Sequence, residues 1–184
     1  MMRTINLDMD GVVADFNTYV GNILGREVGW EGRDLTDEEW GVLTQVHNLY
    51  FHLPLITESV ELVSLAKEYS KKNEVRVRFL TAIPRRTTIA TAEQDKRNWV
   101  EKYFPGIPME IGPYSKHKQN WCNPLDILVD DKQSNCWEWF YKGGISVYHV
   151  GNWKETLENF IKALTTTTPT FFGPVAQLVR AGDS

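Results

Sequence analysis

The chain has 184 residues, 42% of them hydrophobic and 24% charged, and a formal net charge of −4. Those proportions lie near globular averages and argue against a disordered or membrane-embedded chain, while the acidic balance argues against a broad surface for extended nucleic acid. The length suits one domain with a small insertion.

In chain order, Thr4 to Leu7 is short, partly apolar and closed by Asp8-Met9-Asp10-Gly11, which predicts a buried strand running into a turn. From Phe16 to Leu55 the pattern is helical but broken by Gly25, Gly29 and Gly32, and Thr36 to Glu39 offers a capping box. This stretch reads as a small helical insertion. Thr57 to Lys72 has helical spacing, and Val75 to Leu80 alternates as a strand ending at Thr81. A helix is predicted over Thr88 to Tyr103, and Ile127-Leu128-Val129 is an apolar strand ending in Asp130-Asp131. Gln133 to Tyr141 reads as helix, Ser146 to Val150 as strand and Trp153 to Leu164 as the last helix. Alternation of this kind predicts an α/β fold with a doubly wound parallel sheet, whose ligands bind beyond the carboxyl ends of the strands. The domain division expected is a core of residues 1–16 and 57–164, a cap of 17–56, and a linker with a peripheral tail over 165–184, where Phe171 to Ser184 show no partner pattern.

The two cysteines, Cys122 and Cys136, lack metal-ligand spacing and are too few for a disulfide framework, which suits a reducing cytosol. No apolar run approaches a signal sequence or a membrane span, so a cytoplasmic location is expected.

Asp8 and Asp10 set two carboxylates in one turn beside a glycine that lets the backbone approach an anion. Such crowding is costly without a cation. A hard divalent ion such as Mg²⁺ relieves it and binds phosphate oxygen at the same time. Asp130-Asp131 likewise ends an apolar strand, and strand ends of a parallel sheet can converge on one site. Either pair alone could be no more than a capped turn.

The ordered set DMDGVVADF at 8–16, Phe79-Leu80-Thr81, Lys118 and Ile127 to Asp131 resembles the haloacid dehalogenase superfamily of phosphohydrolases over residues 4 to about 164. Within it, DMDGVVADF is most similar to the 5′(3′)-deoxyribonucleotidases. The resemblance implies a Rossmann-like core with a helical cap after the first strand and a Mg²⁺-dependent phosphatase acting on a nucleoside monophosphate. It implies that Asp8 is the nucleophile, that Asp10 protonates the leaving group and later deprotonates water, and that Thr81 donates its hydroxyl to phosphoryl oxygens. Lys118 is preferred to Lys116 as the lysine holding the nucleophile, because its spacing to Asp130 is closer to that of the relatives; Lys116 is left as a substrate-binding residue. Asp8, Asp10, Asp130 and Asp131 are the expected metal ligands. Phe16 matches a base-stacking position. Ala82 stands where the animal enzymes have serine, so one hydroxyl contact is missing and the Ala82 N–H remains. Asp15 is expected to cap the next helix.

Four rivals frame this reading. A dehalogenase has no use for a leaving-group acid such as Asp10, and a phospho-accepting signalling receiver needs neither that acid nor an insertion after the first strand. A catalytically idle binding protein would not need the complete acid set. A phosphatase for another small ester or for a polynucleotide 3′-phosphate keeps the same chemistry, but the acidic balance offers no strand-binding groove.

Overall fold

The computed structural model of the chain describes residues 2–29, 35–84, 89–112 and 115–174, with Ser115 and Lys116 described in their backbone alone. Among the described residues the strands are β1 (Thr4–Leu7), β2 (Arg76–Ala82), β3 (Met109–Gly112), β4 (Ile127–Asp130), β5 (Ile145–Tyr148) and β6 (Thr170–Phe172). They form one wholly parallel sheet in the order β3-β2-β1-β4-β5-β6. The helices are α1 (Phe16–Leu24), α2 (Asp37–Leu43), α3 (Ser59–Asn73), α4 (Ala92–Tyr103), α5 (Gln133–Tyr141) and α6 (Trp153–Thr165), with 3-10 turns at Leu49–His52 and Ser115–Trp121. This is the expected doubly wound α/β arrangement. No helix among the described residues is long and apolar enough to cross a membrane.

β1 and β4 are buried at all four of their positions, as the two central strands of a sheet covered on both faces must be. Asn6 is fully buried in β1, and its side chain donates to the carbonyl of Ile127 and accepts from Arg78 Nε, so the polar group is satisfied there. Chain order runs outward from β1 through β2 to β3, then from β4 through β5 to β6. The reversal falls between β1 and β4, and a crevice at their carboxyl ends is where such sheets take ligands. Register pairs Leu7 with Val129, so Asp8 and Asp130 leave the sheet side by side.

The segment between β1 and α3 carries α1, α2 and the first 3-10 turn. Thr36 forms the full capping box with Glu39, and Asp15 accepts from the Thr18 N–H at the start of α1. Arg26 pairs with Glu39 through Nε–Oε1 at 2.5 Å and Nη2–Oε2 at 2.7 Å, joining the turn after α1 to α2. The base of the segment is sewn to the core by Asp15 N–H to Pro54, Ile56 N–H to Val13, and Trp99 Nε1 to Leu53. Trp30, in the expected cap, lies outside the described residues.

Several boundaries differ from those expected. β3 was not anticipated; its residues MEIG acquire strand geometry by pairing with Phe79 to Ala82. Residues 170–172, expected in a peripheral tail without a partner, form edge strand β6 on β5, and the Phe171 ring stacks on Trp137 with centroids 4.1 Å apart. Residues 175–184 lie outside the described residues. β5 ends at Tyr148 rather than Val150; the His149 N–H makes the last ladder bond, to the Asp130 carbonyl, and Val150 is exposed. α4 begins at Ala92, and residues 85–88, where its start was expected, lie outside the described residues.

Candidate active site

Asp8 is the first residue beyond β1. Its N–H still reaches the Val129 carbonyl at 2.9 Å, and its carboxylate accepts from the Met9 N–H at 2.7 Å. The loop then winds on the Met9 carbonyl, which accepts from the N–H groups of Val12, Val13 and Ala14. Gly11 takes φ +77°, and a Cβ there would overlap the Asp131 carboxylate, so glycine is required both by conformation and by space. The Asp-x-Asp-Gly turn and the Asp130-Asp131 turn are thereby packed against each other.

Lys118 sits between the two strand ends. Its buried Nζ lies 2.6 Å from Asp8 Oδ2 and 2.7 Å from Asp130 Oδ2. Burial works against the charge, but Asp130 and Asp8 outweigh it and hold the Lys118 pKa above its ordinary value. Asp130 is braced further by the Lys132 N–H and by Asn135 Nδ2, which reaches both carboxylate oxygens at 3.0 Å. Asp8, Asp130 and Asp131 bring one oxygen each within 4.8 Å of one another. Three hard, anionic oxygens gathered this closely suit a hard divalent cation, so the residues present fit such an ion.

Asp10 stands outside that trio. Its Oδ2 accepts from Lys96 Nζ at 2.6 Å, while Oδ1 is enclosed without a hydrogen-bond partner among the described residues. Burial pushes the Asp10 carboxyl above the ordinary carboxylate range; Lys96 pulls against that rise and Asp8 adds to it. Lys96 also donates to Thr81 Oγ1 at 2.8 Å and to the Ala82 carbonyl at 2.9 Å. Sequence reasoning missed Lys96, as it missed Asn135. The signal for Lys96 was its place at helical spacing in the buried stripe Ala92, Lys96, Trp99 and Val100 of α4, where a lysine is out of character.

A cleft of about 160 Å³ opens over these groups. Asp8, Asp10, Lys118 and Asp131 line its floor, with Ala82 on one side and Phe16 and Asn17 at the start of α1. Thr81 is fully buried behind Ala82. Phe16 is 8% exposed and stacks on Tyr50 with centroids 5.9 Å apart, so one ring serves both the core and the cleft wall. The Lys116 side chain lies outside the described residues. A strand-end carboxylate paired with a fixed cation, beside a second carboxyl with raised proton affinity, is a donor set suited to nucleophilic displacement with protonation of the leaving group.

Comparison with curated proteins finds no match. Comparison with protein families finds one described as 5′ nucleotidase, deoxy (pyrimidine), cytosolic type C, which matches residues 2–162 and so takes in every side chain of the site just described. The chain therefore belongs to that family of 5′-nucleotidases and is a phosphoric monoester hydrolase of the haloacid dehalogenase type.

Proposed function

We propose that the protein dephosphorylates a nucleoside monophosphate through an aspartyl-phosphate on Asp8, with Mg²⁺ as cofactor, in a reducing cytosol. The observation that carries this reading is the Asp8 carboxylate, buried and 2.6 Å from Lys118 Nζ, on the floor of a cleft that Asp10 also lines. In the first step an Asp8 oxygen bonds to phosphorus as the ester P–O bond breaks, and Asp10 gives its proton to the departing sugar oxygen. The raised proton affinity of Asp10 suits that task. In the second step water attacks the phosphorus of the aspartyl-phosphate, Asp10 takes a proton from that water, and inorganic phosphate leaves with Asp8 restored.

Lys118 holds Asp8 in place and offsets negative charge as the phosphoryl group moves. The Thr81 hydroxyl and the Ala82 N–H receive phosphoryl oxygens, and Phe16 stacks on the base. Asp8, Asp130 and Asp131 would hold Mg²⁺, which when bound supplies charge neutralisation at the phosphoryl oxygens. The free thiols of Cys122 and Cys136 are in keeping with a cytosolic setting.

The test is a phosphate-release screen over ribo- and deoxynucleoside 5′- and 3′-monophosphates, with chelator and with Mg²⁺ restored. Release from at least one nucleotide, abolished by chelation and recovered with Mg²⁺, is the expected result. Failure to hydrolyse any nucleotide would overturn the substrate assignment, and undiminished hydrolysis in excess chelator would overturn the metal assignment.

A further inference from the structure

We propose that Lys96 is a positioning residue of the reaction, which locks the Asp10 carboxyl and the Thr81 hydroxyl into one geometry beneath the cleft. The inference rests on the phosphoryl-transfer reading above.

Lys96 Nζ is fully buried, a costly place for a charge unless every donor is matched. An ammonium has three donors. All three are used on the protein, on Asp10 Oδ2, Thr81 Oγ1 and the Ala82 carbonyl. No donor remains for substrate, which separates its role from that of Lys118. The three acceptors come from two different segments, the loop after β1 and the end of β2, and Lys96 reaches them from α4. It is therefore the tie between the proton-transferring group and the phosphate-receiving strand end.

The contacts also orient each partner. A third of the Asp10 side chain is exposed although Oδ1 is enclosed, so Oδ2 is the carboxyl oxygen the cleft can reach, and it is the oxygen Lys96 holds. With one lone pair of Oδ2 occupied by Lys96, the other is left to carry the proton exchanged with the leaving oxygen. Thr81 Oγ1 accepts from Lys96, so its own hydrogen is free to point elsewhere; its acceptor among the described residues, the Ala82 carbonyl, is a long 3.3 Å away. Nζ further lies 4.7 Å from the centroid of the Tyr50 ring, and Tyr50 stacks on Phe16. Lys96 thus touches the helical segment over the cleft as well as the catalytic floor.

The test compares two substrates on full-length Lys96→Met. A nucleoside 5′-monophosphate expels an alkoxide that needs a proton, whereas 4-nitrophenyl phosphate expels a phenolate that departs without one. A general acid contributes on the order of 10² to 10⁴ in rate, so in single-turnover measurement of leaving-group release, the step that precedes the attack of water common to both substrates, the variant should lose at least about 100-fold on the nucleotide and about tenfold or less on the nitrophenyl ester. The nucleotide KM should stay within a few-fold of wild type, because no Lys96 donor meets substrate. Lys96→Gln, which keeps one donor near Asp10, should fall between, and the comparison is read on it if the methionine variant does not fold. Equal losses on both esters, or a loss carried by KM, would overturn the inference while leaving the nucleotidase reading intact. Absence of hydrolysis of both esters by the wild-type protein would instead overturn both.

Discussion

Gly11 lies so close to Asp131 that a methyl group on Gly11 would overlap the Asp131 carboxylate. The two acidic turns are therefore fitted to each other, and the cleft depends on the absence of a side chain at one position. Gly11→Ala should lower kcat/KM more than tenfold, by displacing Asp131, while the backbone strain at positive φ costs on the order of 1 kcal/mol of stability. Steady-state kinetics beside a thermal melt checks this. Wild-type activity in the variant would show that Asp131 can move without consequence.

Phe16 joins the cleft to the core through Tyr50, so its replacement separates two roles. Phe16→Ala should destabilise the fold by about 3 kcal/mol, as truncation of a buried ring does. It should also reduce kcat/KM on a deoxynucleoside 5′-monophosphate well beyond the reduction on deoxyribose 5-phosphate, which has the same leaving oxygen and no base. A lost stacking contact corresponds to about 1 to 3 kcal/mol. Equal losses on the two substrates, measured on folded variant, would leave Phe16 a core residue only.

The acid pairs at strand ends were legible because they are local patterns: an apolar run, then two carboxylates, is visible without knowing what packs where. Lys96 was not, since a lysine reads as solvated until the buried face of α4 is known to lie beneath Tyr50 and behind Thr81. β3 was hidden for a similar reason. Met109 to Gly112 has only four residues and an internal Glu110, and it becomes a strand because β2 offers an edge. β6 depends on contacts from far along the chain, with Phe171 lying on Trp137 of α5 and pairing with Ser146 of β5.

Truncation distinguishes β6 from the residues beyond it. Removing residues 175–184 should leave the melting temperature and kcat unchanged, whereas removing 170–184 should lower the melting temperature by several degrees through loss of an edge strand and an aromatic stack worth about 1 kcal/mol. Activity per folded molecule should survive both truncations, because the cleft lies at β1 and β4. Identical melts for the two truncations would mean that β6 adds nothing to stability.

His149 gives the fold a pH dependence of its own. Its imidazole is buried, with Nδ1 2.8 Å from Thr156 Oγ1 and the ring 4.3 Å from that of Trp153, and burial holds its pKa down at about 4. The unfolded chain binds the proton near the ordinary value of 6.5, so the unfolded state carries more protons between those two values. Stability therefore falls as pH drops through that window and levels off below it. The loss assignable to His149 is at most on the order of 3 kcal/mol. Urea melts of wild type and His149→Asn across the window should converge at low pH, because the variant has no imidazole to titrate. A stability difference that stays constant with pH would contradict the assignment.

The central claim is that Asp8 carries the phosphoryl group, and acid-quenched reaction of the enzyme with a radiolabelled deoxynucleoside 5′-monophosphate tests it most directly. Within a single turnover, the label should appear on one peptide, the one containing Asp8, and decay as inorganic phosphate accumulates. Asp8→Asn should show neither the label nor turnover while melting like the wild type. Rapid phosphate release with no labelled protein at any time, or wild-type turnover by Asp8→Asn, would contradict the account.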